Sequence, residues 1–331
     1  MNIALDVGFS AVKQIAGDSR VIFPSVVGTP MPQASFSIKH NMRALAVSGN
    51  GHYTPVGDTA LLQSQYVSGR RDPEWVLSQD WMTLFQTAIS EVITTPLARV
   101  KLVTGLPVGD WNRFQEQLRK RLTEQTFQFK RIGRDVQRVD VTGVIIMTQP
   151  YGSLLDKALD SNGRIVSNTW AEGRVGIVDI GGNTMNLLTV NSLEEVTQLT
   201  TSDEFGLLRA LDDVRTLLHN SFTRFSPDVH EVSEWLAKGT FRYQGAEHRT
   251  WDYAEAFLTP LIDLVITKVA EVWPESGRFD AVLLAGGGAA VLGRYIKAKM
   301  AGQFANVEIT TDPRWSNVRG YWKLATREFG G

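Results

Sequence analysis

Three apolar runs in this chain each end in a glycine-containing turn, and an aspartate stands just before two of those turns. The first run is Ile3-Ala4-Leu5-Asp6-Val7-Gly8-Phe9-Ser10-Ala11-Val12-Lys13, and the second is Val175-Gly176-Ile177-Val178-Asp179-Ile180-Gly181-Gly182-Asn183-Thr184. The third is Ala281-Val282-Leu283-Leu284-Ala285-Gly286-Gly287-Gly288-Ala289. A turn of this kind after a strand exposes backbone N–H groups that can hydrogen-bond phosphate oxygens. Asp6 and Asp179 offer carboxylates to a Mg²⁺ ion and its waters. Ser10 and Thr184 add hydroxyl donors, and Lys13 adds a cation to neutralise phosphate charge. Gly286, Gly287 and Gly288 let the backbone come close to a ligand, although the triplet alone reads equally as a flexible turn. Any one of these segments is a common strand end. Their recurrence, in this order and far apart, points to a nucleoside triphosphate held by the two Asp loops, with its nucleoside end at the glycine triplet.

The elements that must position these residues read as follows. Residues 2–8 and 11–16 form a hairpin, repeated at 175–180 and 185–190. Phe23-Pro24-Ser25 and the polar stretch to about residue 60 read as short strands and loops of an insertion. Asp58 is placed to cap a helix. Trp81, Leu84, Phe85, Ala88, Ile89 and Val92 fall at helical spacing over 80–94. A strand covers 99–104, a charged helix 109–125, strands 126–132 and 136–147, and a helix 151–161. In the second half, helices are expected near 204–219, 228–238, 251–273 and 289–301. Strands are expected at 279–284 and 306–309, and a terminal helix from about residue 315. The basic residues Arg119-Lys120-Arg121 and Lys130-Arg131 read as a solvated face, or as part of a longitudinal contact in a polymer.

Composition narrows the function classes. The chain has 331 residues, enough for two domains, and a formal net charge of −1. No global basic field favours nucleic acid, so no direct nucleic-acid contact is expected. Cysteine is absent, which excludes disulfides and thiolate metal sites and fits a reducing compartment. The five His (40, 52, 219, 230 and 248) lack metal-ligand spacing. There is no signal-peptide pattern and no apolar run of membrane-spanning length, so a cytoplasmic protein without a membrane partner is expected.

Taken together, the three loops resemble the actin, sugar-kinase and heat-shock-chaperone ATPase superfamily, as first phosphate loop, second phosphate loop and adenosine loop. Val21-Ile22-Phe23-Pro24-Ser25-Val26-Val27 and Leu102-Val103-Thr104-Gly105-Leu106-Pro107-Val108 are similar to segments of its prokaryotic actin-like branch, the plasmid-segregation (ParM) type and archaeal relatives. The resemblance implies an α/β fold of two actin-like (ribonuclease-H-like) domains, each with an inserted subdomain, around a nucleotide cleft. Domain I would cover 1–160 with the C-terminal helix 315–331 and an insertion at about 20–75. Domain II would cover 165–314 with an insertion at about 200–250.

The same resemblance implies ATP/ADP and Mg²⁺ as cofactors, with Asp6 and Asp179 meeting the ion largely through water. Gly8, Phe9, Ser10, Lys13, Gly181, Gly182, Asn183, Thr184, Gly286, Gly287 and Gly288 would line the nucleotide. Glu231 or Glu234 would reach its ribose or adenine. Gln149, at the end of strand 141–147, would orient the attacking water; an amide is a poor general base but can hold a water in line. Some plasmid relatives carry Glu there. Gly320 would pack the last helix under the first loop.

The expected activity is Mg²⁺-dependent ATP hydrolysis coupled to head-to-tail filaments, for DNA segregation through an adaptor protein. The contact surfaces would lie near 30–60 and 220–250, with Phe36, Phe222 and Phe225 exposed. A small-molecule, sugar-type kinase on the same fold is the alternative. It would need a strong base, normally Asp, at an acceptor hydroxyl.

Overall fold

The computed structural model describes residues 1–32, 43–46, 52–64, 67–68, 74–132 and 134–330. The chain divides into two compact units, Met1–Arg164 with Val318–Gly331, and Ile165–Asn317.

The first unit runs β1 (Asn2–Val7), β2 (Ala11–Ala16), β3 (Ser19–Pro24), β4 (Val27–Gly28), β5 (Met31–Pro32), β6 (Ala44–Ala46) and β7 (His52–Pro55). It continues through α1 (Asp58–Gln63), β8 (Val67–Ser68), α2 (Gln79–Val92), β9 (Leu97–Leu106), α3 (Val108–Thr123), β10 (Thr126–Arg131), β11 (Val136–Thr148) and α4 (Gln149–Ala158). The sheet order is β3-β2-β1-β9-β11-β10-β6-β7-β5. Strand alternation sends Ile3, Leu5 and Val7 into the core shared with α2 and α3. It leaves Asp6 on the opposite face, directly across from Lys13.

Three local readings change. Ser19–Pro24, placed by sequence at the start of the insertion, pairs with β2 along its length. The inserted chain rejoins the main sheet where β6 pairs β10. Asp58 is the first residue of α1 rather than its cap; the cap position is Gly57, at φ 61°. Helix α2 is buried without interruption from Trp81 to Ser90, polar residues included, with β1, β2, β3 and β10 of the main sheet and β4 packed on it. Its buried hydroxyls are satisfied inside the helix: Thr83 donates to the Gln79 carbonyl, Thr87 to that of Thr83, and Ser90 to that of Thr87.

The second unit runs α5 (Asn168–Glu172), β12 (Arg174–Ile180), β13 (Thr184–Asn191), β14 (Glu194–Glu195), β15 (Thr201–Glu204), α6 (Leu207–Ser221) and α7 (Val229–Lys238). Then come β16 (Thr240–Tyr243), β17 (Ala246–Arg249), α8 (Trp251–Val272), β18 (Ala281–Ala285), α9 (Gly287–Met300) and β19 (Val307–Ile309). Its sheet is ordered β14-β13-β12-β18-β19, with β15 also on β13. The last helix, α10 (Ser316–Phe329), has its first two residues in this unit and the rest in the first.

Phe222 and Phe225 are not surface anchors. They pack edge-on to each other and against Phe241 and Tyr243, and Phe225 stacks on Trp235 at 5.6 Å. Seven aromatic and His rings from α6 to α8 thus pack together on the edge of the second unit's main core, which consumes the apolar residues of this segment. Phe36 lies outside the described residues. The Arg119-Lys120-Arg121 cluster is split: Arg119 donates to the Val144 carbonyl at 2.7 Å and Arg121 to that of Leu77, while Lys120 stays exposed.

Candidate functional site

The hairpin of β1 and β2 builds the first candidate loop. Gly8 N–H donates to the Ala11 carbonyl at 3.2 Å, closing a tight turn over Phe9 and Ser10. The Phe9 ring stacks on Trp75 at 5.2 Å, so Phe9 presents its backbone rather than its side chain to any ligand. Ser25, delivered by the end of β3, donates its hydroxyl to the Gly8 carbonyl at 2.6 Å and its N–H to the Ser10 carbonyl at 3.1 Å. Among the described residues, neither the N–H nor the hydroxyl of Ser10 has a protein partner.

Beside this loop stands a buried polar cluster. Asp6 is 3% exposed. One of its carboxylate oxygens accepts from Lys13 Nζ at 3.1 Å, and the other from Gln149 Nε2 at 3.1 Å. A carboxylate only accepts, so Gln149 must turn its NH₂ toward Asp6 and its carbonyl Oε1 away. Gln149 opens α4, and Pro150 at the second position of that helix loses no hydrogen bond. The Gly-Leu-Pro segment supports the same residue from behind. A Cβ on Gly105 would lie 1.9 Å from the hydroxyl of buried Tyr321, which donates to the Gln149 carbonyl at 3.4 Å.

The second unit carries the counterpart. Gly181 N–H donates to the Thr184 carbonyl at 2.8 Å. The carbonyls of Gly182 and Asn183 accept from the N–H groups of Leu208 and Phe205, at 3.0 and 2.7 Å. With both carbonyls drawn toward the start of α6, the N–H groups of Gly182 and Asn183 have no protein partner among the described residues, nor has the Thr184 hydroxyl. Asp179 is 3% exposed and accepts from Asn317 Nδ2, on the first turn of α10, at 3.1 Å. Where the first hairpin sets Lys13 opposite its aspartate, the second sets Asn186.

The glycine triplet divides into two roles. Gly286 has φ 81°, and a Cβ there would lie 2.2 Å from Asp179 Oδ1. A Cβ on Gly288 would lie 2.2 Å from Ile180 Cγ2. These two let α9 press against the end of β12. Gly287, the first residue of α9, faces open space and is the member available to a ligand.

Glu231, Glu234 and Gly320 each have protein contacts of their own. Glu231 is the third residue of α7, where its carboxylate accepts from the Asp228 N–H while Asp228 caps the helix in return, a capping box. Glu234 on the same helix lies 3.8 Å from Arg314. Gly320 packs against α4, where its Cβ would be 1.7 Å from the Gly152 carbonyl oxygen. Sequence reading also left out Asn317 and Ser25. Ser25 stands in a quoted segment and Asn317 near the start of the expected terminal helix, and no local signal separates them from neighbouring polar residues.

The donor sets fit phosphate: among the described residues, the first loop offers the Ser10 N–H and hydroxyl beside Lys13, and the second the N–H groups of Gly182 and Asn183 with the Thr184 hydroxyl. They do not form a metal cage, since no cluster of three or more His, Cys, Asp or Glu is found among the described residues. One carboxylate per loop suits an ion that keeps most of its waters, as Mg²⁺ does. No described helix is long and apolar enough to cross a membrane.

Residues 4–152 match the family described as actin like proteins N terminal domain, and residues 177–298 match the family described as archaeal actin homologue MreB-like, C-terminal. No curated protein matches the sequence. Among solved structures, the chain is similar to the archaeal actin homolog Ta0583, with TM-score 0.79, 20% identity and 99% of each chain covered. A complex of Ta0583 with ADP has also been solved. The chain is similar to the subunit of a 15-stranded ParM filament from Clostridium botulinum, with TM-score 0.77, 20% identity, and 98% of this chain and 99% of that one covered. It is similar to the actin-like protein Alp7A, with TM-score 0.80, 15% identity, and 99% and 96% covered. At these identities the likeness establishes the fold.

Proposed function

The chain belongs to the actin-like proteins, and from that premise we propose that it is an ATP-binding, Mg²⁺-dependent ATPase that assembles into nucleotide-dependent filaments. The observation that carries the chemistry is the cluster of Asp6, Lys13 and Gln149 beside a loop whose Ser10 donors have no protein partner. Both Asp loops act as phosphate-binding elements, through the donors of Ser10 and of Gly182, Asn183 and Thr184. Lys13 neutralises phosphate charge while holding Asp6. Gln149, its NH₂ committed to Asp6, keeps Oε1 to accept a hydrogen bond from water and hold it for attack on the terminal phosphate. Mg²⁺, when bound, would neutralise charge on the phosphate oxygens, and Asp6 and Asp179 would hold its water shell.

The solved ParM and Alp12 filaments support self-association on this fold. Head-to-tail contact between unlike surfaces produces an open filament when the rotation does not close. The biological task we assign is DNA segregation in the cytoplasm through an adaptor protein. Light scattering and pelleting with ATP, ADP and a non-hydrolysable analogue, followed by electron microscopy, test the assembly. Filaments with ATP and the analogue, and few with ADP, are expected. A protein that remains monomeric in all three across salt and concentration would overturn the filament reading.

A further inference from the structure

The Phe-Pro-Ser segment is not used by the function proposed above, yet its serine holds the first loop from the inside. Ser25 is 4% exposed and makes two bonds to one three-residue turn: hydroxyl to the Gly8 carbonyl at 2.6 Å, N–H to the Ser10 carbonyl at 3.1 Å. In a planar trans peptide the carbonyl and the following N–H point in opposite directions. Drawing the Gly8 and Ser10 carbonyls toward Ser25 therefore fixes the two peptide planes that flank the Phe9–Ser10 plane, the one that carries the Ser10 N–H. The Phe9 ring, stacked on Trp75, holds the middle of the turn. The second loop reaches the same end by different means, with the Gly182 and Asn183 carbonyls drawn to the backbone N–H groups of Leu208 and Phe205. In the first loop a side chain does this.

How the chain delivers Ser25 explains the rest of the segment. Pro24 stands opposite Ala11 at the end of β3, and the next cross-strand bond is that of Ser25 N–H to Ser10. Phe23 is buried in the core of the unit. After Ser25, the Val26 carbonyl accepts from Gly57 N–H at 2.9 Å and Val27 bridges Val56, so Ser25 is where the inserted chain departs from the loop it holds.

We propose that Ser25 is a positioning residue for the phosphate end of a nucleoside di- or triphosphate, acting through the peptide planes of Gly8 to Ala11. This rests on the nucleotide-binding function proposed above. Ser25→Ala removes the hydroxyl bond and keeps the backbone bond and the strand, so the fold survives. Ser25→Thr keeps the hydroxyl.

The test has two arms. Hydrogen exchange of the nucleotide-free protein reads the loop directly: the Gly8 amide, which donates to the Ala11 carbonyl across the turn, should exchange about five to ten times faster in Ser25→Ala, the loss expected for one buried hydrogen bond. Calorimetric titration reads the ligand: ADP affinity should fall by a similar factor of about five to ten, with AMP unchanged and melting temperature little altered. Ser25→Thr should restore both readings. Unchanged loop exchange in Ser25→Ala, unchanged ADP affinity, or equal losses for ADP and AMP would each overturn the role assigned to Ser25. If wild-type protein binds no nucleotide, the nucleotide site itself is overturned, and the exchange arm still decides whether Ser25 holds the loop.

Discussion

Gln149 and Asp179 are the residues on which the proposed chemistry depends most directly. Gln149 is 7% exposed and donates to Asp6, so its amide has one orientation and one free acceptor. Replacing it with Ala should slow ATP hydrolysis by about ten- to a hundredfold if its role is to hold water. ATP affinity should change little, because Lys13 and the loop donors are untouched. Phosphate release under single-turnover conditions checks this, and filaments of the variant in ATP should last longer than wild type. Faster disassembly would contradict the role. Asp179→Ala should remove Mg²⁺-dependent hydrolysis in a protein that still melts cooperatively. It removes the bond from Asn317 Nδ2, which costs on the order of 1–3 kcal/mol rather than the whole fold. An unchanged hydrolysis rate in the folded variant would exclude Asp179 from the site.

At the scale of elements, close approaches decide which glycines are structural. A Cβ on Gly320 would sit inside the Gly152 carbonyl of α4, where Arg319 and Lys323 also bind Asp156. Gly320→Ala should therefore cost at least about 1–3 kcal/mol by forcing α10 from α4, read as a lower melting temperature. Gly287→Ala is the contrast. With open space around its Cβ it should leave stability near wild type, yet weaken nucleotide binding measured by titration if the ligand approaches α9 there.

The turn after α4 carries a pH-dependent prediction. Backbone N–H donation from Arg164, chiefly, and from Asn162 holds the Asp160 carboxyl below its usual range, against a smaller opposing effect of burial. A group whose folded pKa is depressed stabilises the fold above its unfolded pKa and loses that contribution as pH falls through the folded value. Asp160→Asn, which keeps an acceptor oxygen, should flatten the loss of melting temperature on acidification below about pH 4.

For the whole molecule, the test of assembly must avoid the aromatic core between α6 and α8. Phe222→Asp would bury a charge among rings and cost about 3–5 kcal/mol, so loss of pelleting there would report unfolding. Arg224 and Arg242 in the same segment are exposed. Reversing both to Glu should abolish pelleting with ATP while ADP affinity and melting temperature stay at wild-type values. Pelleting that survives the double reversal would move the filament contact away from residues 220–250.

The sequence by itself determined the strand-turn-strand units around Asp6 and Asp179 and the helix after the glycine triplet. Alternation of apolar residues, glycine turns and helical spacing are local effects, readable within a few residues. It also carried the family, because those units recur in a fixed order along the chain. Tertiary structure alone decided which side chains meet. Gln149 reaches Asp6 across 143 residues and Asn317 reaches Asp179 across 138, through sheet register and helix packing that no local pattern encodes. The same holds for Ser25 on Gly8, for Tyr321 in the space left by Gly105, and for Phe222 and Phe225. Those two rings look exposed in a polar loop because the aromatic residues that cover them come from β16, β17 and α8. Burial and hydrogen-bond partnership belong to pairs of distant segments, so they exist only once the chain has brought those segments together.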